Sequence, residues 1–110
     1  MLDKTKVREI VCRYSEEVKK VLNPVSVILF GSYAGGIPHE WSDIDVAVLV
    51  DNVKDEDWYD TCVLLNRLRS YEDYDIDGFI GIEPHLLDPN YDPSGFVEHV
   101  IKTGEVIYTA

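Results

Sequence analysis

Leu29-Phe30-Gly31-Ser32-Tyr33-Ala34 and, with ten residues intervening after the Gly-Ser pair, Asp43-Ile44-Asp45-Val46 decide how this chain is read. The β-branched, apolar run from Val25 to Phe30 predicts a buried strand, broken by Gly31-Ser32. Glycine at a strand end lets the backbone approach a ligand, and a helical turn opening there points free amides outward. Ser32 adds a hydroxyl, completing the parts of a phosphate cradle. A second strand, Asp43 to Val50, alternates: Ile44, Val46, Val48 and Val50 on one face, Asp43, Asp45, Ala47 and Leu49 on the other. The two aspartates therefore point the same way, with Cα atoms ~7 Å apart at strand rise. Their repulsion on a mostly apolar strand costs stability unless a cation or solvent relieves it. Converging carboxylates of this kind hold divalent ions, and two ions ~3.5–4 Å apart hold a triphosphate for in-line displacement at phosphorus. Either piece alone reads as a turn or an exposed strand end. Together they point to phosphoryl chemistry.

Outward from this stretch, helices and strands alternate. Val7, Ile10, Val11, Tyr14, Val18, Val21 and Leu22 recur at helical spacing, and Asn23-Pro24 end that first helix. Asp55 or Asp57 is the expected cap of a second helix with Trp58, Cys62, Leu65 and Leu68 on its apolar side. Tyr74 to Ile82 reads as a third strand, after which Pro84, Pro89 and Pro93 predict an irregular loop. Phe96, Val97, Val100 and Ile101 suggest a last helix stopped near Gly104, and Glu105 to Thr109 a terminal strand. The expectation is one α/β (α+β) domain over residues 1–110, a mixed sheet with helices packed on one face.

Composition narrows the function classes. The chain has 110 residues, 45% of them hydrophobic, with 2 Trp, 7 Tyr and 3 Phe, enough for one core and too apolar for a disordered chain. The longest apolar run, Val46 to Val50, is far short of the roughly 20 residues of a membrane span, and the first residues lead into charge rather than a signal core. A cytoplasmic protein is expected, with Cys12 and Cys62 as reduced core residues. Net charge is −11, and residues 31–98 hold 3 basic against 16 acidic side chains. No basic face is visible for displacing phosphate counterions, which argues against general nucleic-acid binding.

Gly31-Ser32, ten residues, then Asp43-x-Asp45 resembles the signature of the minimal nucleotidyltransferases of the DNA polymerase β superfamily. The resemblance implies their small nucleotidyltransferase fold. It also implies that Gly31 and Ser32 hold the phosphates of ATP or another nucleoside triphosphate, while Asp43 and Asp45 bind Mg²⁺. That family uses a third carboxylate on the following core strand, for metal binding and proton removal. Asp75 and Asp77 both qualify; Asp77 is favoured because Ile76 precedes it and Gly78-Phe79-Ile80 continue the strand. Many small relatives carry a basic residue where this chain has Gly35, so a counter-charge for the triphosphate is missing.

The remaining candidates carry less. His39, His85 and His99 share no metal-ligand spacing and read as ordinary surface or core residues. Tyr33 and Trp41 flank the site, and packing of the loop explains them better than base stacking. No stretch has the spacing of a calcium loop. Two functions remain. One is transfer of a nucleoside monophosphate, AMP from ATP, to a hydroxyl of a HEPN-type toxin partner or a dimer mate, as in antitoxins of the resembled family. The other is a catalytically weak module of the same fold that neutralises a partner by contact.

Overall fold

The computed structural model describes residues 3–36, 43–69 and 81–110. Its order is α1 (Lys4–Val21), β1 (Ser26–Phe30), a 3₁₀ turn (Gly31–Tyr33), β2 (Ile44–Leu49), α2 (Asp55–Arg67), β3 (Ile82–Leu87), α3 (Phe96–Thr103) and β4 (Glu105–Thr109). Four strands form one mixed sheet in the order β3-β2-β1-β4. β1 runs antiparallel to β2 and β4, whereas β2 and β3 are parallel, with α2 in the connection between them.

The alternation read along Asp43 to Val50 is realised on the sheet. Val27, Leu29, Ile44, Val46, Val48 and Val50 are buried with Val7, Ile10, Val11, Tyr14 and Val18 of α1 and Leu65 of α2. Trp58, Cys62 and Leu68 pack against this core as expected. Ile28, Phe30, Ala47 and Leu49 form a second cluster on the opposite face with Val97 and Val100. The expected one-sided packing thus describes α1 and α2, while the eight-residue α3 covers part of the other face. Both faces being covered explains why all five residues of β1 are buried.

Local chemistry sets the element ends. Asp3 caps α1, its carboxylate accepting from the Lys6 N–H at 2.8 Å. The residue preceding α2 is Lys54, without a side-chain cap; Asp55 and Asp57, expected as caps, lie inside the first turn, where their charge suits the positive helix end. At the other end of α2, the Tyr14 hydroxyl donates to the Leu65 carbonyl at 2.6 Å in the core. Arg69 donates through Nε to the Asn66 carbonyl (3.0 Å) and through Nη1 to the Ile82 carbonyl (3.2 Å), tying α2 to the start of β3. Burial pushes the Tyr14 phenol well above its ordinary range, with Arg69 pulling weakly the other way.

Two further expectations need correction and one falls elsewhere. Pro84 does not begin a loop; it sits within β3, beside Val46. The Ile44 N–H donates to the Gly81 carbonyl and the Val50 N–H to the Leu87 carbonyl, both at 2.9 Å. Odd-numbered residues of β3 therefore turn their backbone groups toward β2, and the missing N–H of Pro84 falls on the outer side, where it breaks no ladder bond. The irregular segment is residues 88–95, where both carboxylate oxygens of Asp92 accept from the Val97 and Glu98 N–H groups (3.0 Å each) and so cap α3. Cys12 is free as expected but exposed rather than in the core. The strand expected at Tyr74 to Ile82 lies, up to residue 80, outside the described residues.

Candidate active site

The candidate site stands at the end of the sheet face that α3 leaves open. β1 delivers its last residue, Phe30, opposite Asp45 of β2, and the chain then turns at Gly31. Gly31 has φ +75°, a left-handed conformation that L side chains rarely adopt. A Cβ at this position would also lie 2.5 Å from Asp45 Oδ2. Conformation and space both demand glycine, and together they seat the turn directly against the carboxylate. The Gly31 carbonyl accepts from the Ala34 N–H (3.1 Å) and the Gly35 N–H (3.4 Å), closing the turn that carries Ser32.

On the other side of Asp45, the parallel register places Glu83 directly beside it and His85 beside Ala47. Strand alternation puts Asp45, Glu83 and His85 on one face, and one donor atom from each lies within 4.8 Å of the others. His85 Nε2 is 3.1 Å from Asp45 Oδ1. The His85 ring meets Phe30 edge-on at 5.0 Å, and Phe30 in turn meets Phe96 of α3 at 5.7 Å, so the imidazole is braced from the core.

The expected residues are distributed as follows. Gly31 and Asp45 meet and Ser32 belongs to the same turn, whereas Asp43 is exposed, directly precedes β2 and is not in the group that Asp45 forms with Glu83 and His85. Asp75, Asp77, His39 and Trp41 lie outside the described residues. Tyr33 is buried at 2% exposure in the α1–α2 core, which is the loop-packing role expected of it. Glu83 and His85 were missed as site residues. The sequence signal for them was the alternation Ile82-x-Pro84-x-Leu86, with the intervening Glu83 and His85 facing the other way.

The sequence profile of the family described as "Polymerase beta, Nucleotidyltransferase" matches residues 13–110. The chain belongs to the polymerase β nucleotidyltransferase family. It is 30% identical over 86 residues to "Putative protein adenylyltransferase MJ1215" of Methanocaldococcus jannaschii, covering 78% of this chain and 88% of that one. In fold it is similar to "a putative nucleotidyltransferase from Sulfolobus solfataricus" (TM-score 0.67, 22% identity, 96% of this chain and 83% of that one). It is also similar to a crystal structure of a "toxin-antitoxin with AMP-PNP" (TM-score 0.56, 21% identity, 99% and 75% covered).

Nucleotidyltransferases of this family generally work with a divalent metal. The residues present fit such an ion: two carboxylates and an imidazole converge in a half-exposed position next to a glycine that leaves Asp45 uncrowded. Of the described helices, none is long and apolar enough to cross a membrane.

Proposed function

We propose that the chain transfers a nucleoside monophosphate, AMP from ATP, to a hydroxyl on a partner protein, as the antitoxin of a pair whose toxin is a HEPN-type protein. The observation that carries this reading is the contact between the Gly31 turn and Asp45, with Glu83 beside Asp45 on the next strand. A phosphate-holding backbone and a cation-holding carboxylate are thereby brought within one ligand's reach. The protein adenylyltransferase name of the M. jannaschii relative and the AMP-PNP of the toxin–antitoxin structure support the choice of nucleotide and acceptor.

In this reading the Gly31-Ser32 turn offers backbone amides and a hydroxyl to the phosphates. Asp43 and Asp45 hold the divalent ion, Mg²⁺ by family resemblance, which supplies charge stabilisation at phosphorus. A third carboxylate takes the proton of the attacking hydroxyl. The resemblance points to Asp77, with Asp75 as the alternative; Glu83, beside Asp45 in the register, is a further candidate, and comparing Glu83→Gln, Asp77→Asn and Asp75→Asn separates them. The site is strongly acidic, and position 35 supplies no cation; the nearest heavy atom to a Cβ there is the Thr103 carbonyl oxygen, at 3.8 Å. That observation favours the second reading, a weakly catalytic module acting by contact.

Purification with the protein encoded by the neighbouring gene, incubation with ATP and Mg²⁺, and intact mass of both chains separate the two. A gain equal to one nucleoside monophosphate on the partner, absent with Asp45→Asn, supports transfer. A stable but unmodified complex supports the contact module.

A further inference from the structure

We infer that His85 is a nitrogen ligand of the divalent centre and tunes it toward a first-row transition ion of the Fe²⁺ to Zn²⁺ group over Mg²⁺. The inference rests on the reading that Asp45 holds a divalent cation, and adds which neighbours join it and which cation this chain favours. Three observations carry it. The imidazole Nε2 is 3.1 Å from Asp45 Oδ1, so a cation bound by that carboxylate lies within reach of the ring nitrogen. Glu83 completes a set of three donors within 4.8 Å. The ring does not hang free in solvent: His85 keeps 30% side-chain exposure and is buttressed edge-on by Phe30, itself held by Phe96.

Donor chemistry then chooses the ion. Mg²⁺ is a hard cation that takes oxygen ligands in near-ideal octahedral geometry and keeps several waters. An imidazole nitrogen gives it little, and occupies a place that an oxygen would fill better. Fe²⁺, Co²⁺, Ni²⁺ and Zn²⁺ accept mixed nitrogen and carboxylate sets, and affinity rises along the series from Mn²⁺ to Cu²⁺. An Asp-Glu-His set therefore discriminates where an all-carboxylate set would not. The same contact gives His85 a fixed orientation before any ion arrives, because Asp45 and Phe30 hold the ring from two sides.

The test is calorimetric titration of the whole chain with Co²⁺ and with Mg²⁺, without nucleotide, for wild type, His85→Gln, Asp45→Asn and Glu83→Gln. Glutamine keeps an amide for the Asp45 contact but removes the imidazole nitrogen. His85→Gln is expected to lose Co²⁺ affinity about tenfold or more, while Mg²⁺ affinity stays within about twofold; even outer partners of metal ligands cost about 10–100-fold. An unchanged ratio of Co²⁺ to Mg²⁺ affinity in His85→Gln, with Asp45→Asn abolishing both, overturns the ligand role and leaves the metal reading standing. Unchanged binding of both ions in Asp45→Asn and Glu83→Gln overturns the metal reading itself. Should His85→Gln not fold, the double variant His39→Gln/His99→Gln leaves His85 as the only imidazole of three. Contact-shifted imidazole protons in its Co²⁺ form support ligation; their absence under saturating Co²⁺ overturns it.

Discussion

The two faces of β2 share one backbone and six residues, yet they answer to different demands. On the face toward α1 and α2, Ile44, Val46 and Val48 are each 0% exposed and belong to the main apolar core. On the other, Ala47 and Leu49 are buried under α3, but Asp45 reaches the open end beside Gly31, Glu83 and His85. The first face supplies folding free energy. The second spends part of its area on charges that nothing in the core requires, which is what a binding site looks like when built on a rigid strand. Strand alternation lets the two roles coexist, because a change on one face leaves the other face's packing in place.

The most severe way to break that separation is to move the charge across the strand. Val46→Asp would bury an unpaired carboxylate among α1 and β1 side chains, at a cost of several kcal/mol, comparable with the whole stability of a small domain. The variant should be unfolded or aggregated at 25 °C by circular dichroism, whereas Asp45→Asn, one residue away, should melt within a few degrees of wild type. A folded Val46→Asp would contradict the core assignment. Gly31→Val comes next. It combines a left-handed φ, which costs an L residue about 1–2 kcal/mol, with a Cβ that displaces Asp45. It should lower the melting temperature and also abolish the thermal shift produced by divalent ion plus ATP. A retained shift would place the nucleotide elsewhere.

The same comparison explains what could be read from the sequence. The helix-facing side of β2 obeys period two in apolar residues, so its burial was legible, as were α1, β1, α2, α3 and β4. The Gly-Ser turn and Asp45 were legible because they are neighbours through an antiparallel pair close in sequence. Glu83 and His85 were not, since the parallel register brings them to Asp45 from about forty residues away. Pro84 obscured them further, because a proline is a strand breaker unless its missing N–H faces outward, and facing is a property of the sheet rather than of the peptide. Asp92 capping α3 from five and six residues away, and Tyr14 capping the α2 terminus across the core, have no local signature either.

Tyr14 offers a milder probe, confined to the helix-covered face. Tyr14→Phe leaves the Leu65 carbonyl buried without its donor, which should cost about 1–3 kcal/mol at neutral pH in urea titration. The sign of its pH dependence is fixed by the raised phenol pKa. The folded chain keeps Tyr14 protonated where the unfolded chain ionises, so the stabilisation is complete below about pH 10 and is lost as pH rises beyond it. Wild type should therefore lose its advantage over Tyr14→Phe on going from pH 9 to pH 11. A constant difference across that range would mean that Tyr14 contributes through packing alone.

The smallest change in stability, and the sharpest question for the open face, comes from Gly35→Arg. Position 35 has an ordinary backbone conformation, and an added Cβ meets only the Thr103 carbonyl oxygen, at van der Waals distance, so the substitution fits without strain. Two destinations then compete for the guanidinium. Thr103 is the last residue of α3, whose free carbonyls carry the negative end of the helix dipole; a cation there gains about 0.3–1 kcal/mol in the absence of any ligand. The phosphates of a nucleotide held by Gly31 and Ser32 are the other destination, and a charged hydrogen bond to them is worth about 1.5–3 kcal/mol, or at least tenfold in affinity. The phosphate gain exceeds the helix gain, so Gly35→Arg should raise the melting temperature slightly and tighten ATP binding by about tenfold without a partner protein. Calorimetry with ATP and divalent ion reads the second effect directly. A raised melting temperature with unchanged ATP affinity would show the arginine captured by α3, and would leave the missing counter-charge to be supplied by the partner.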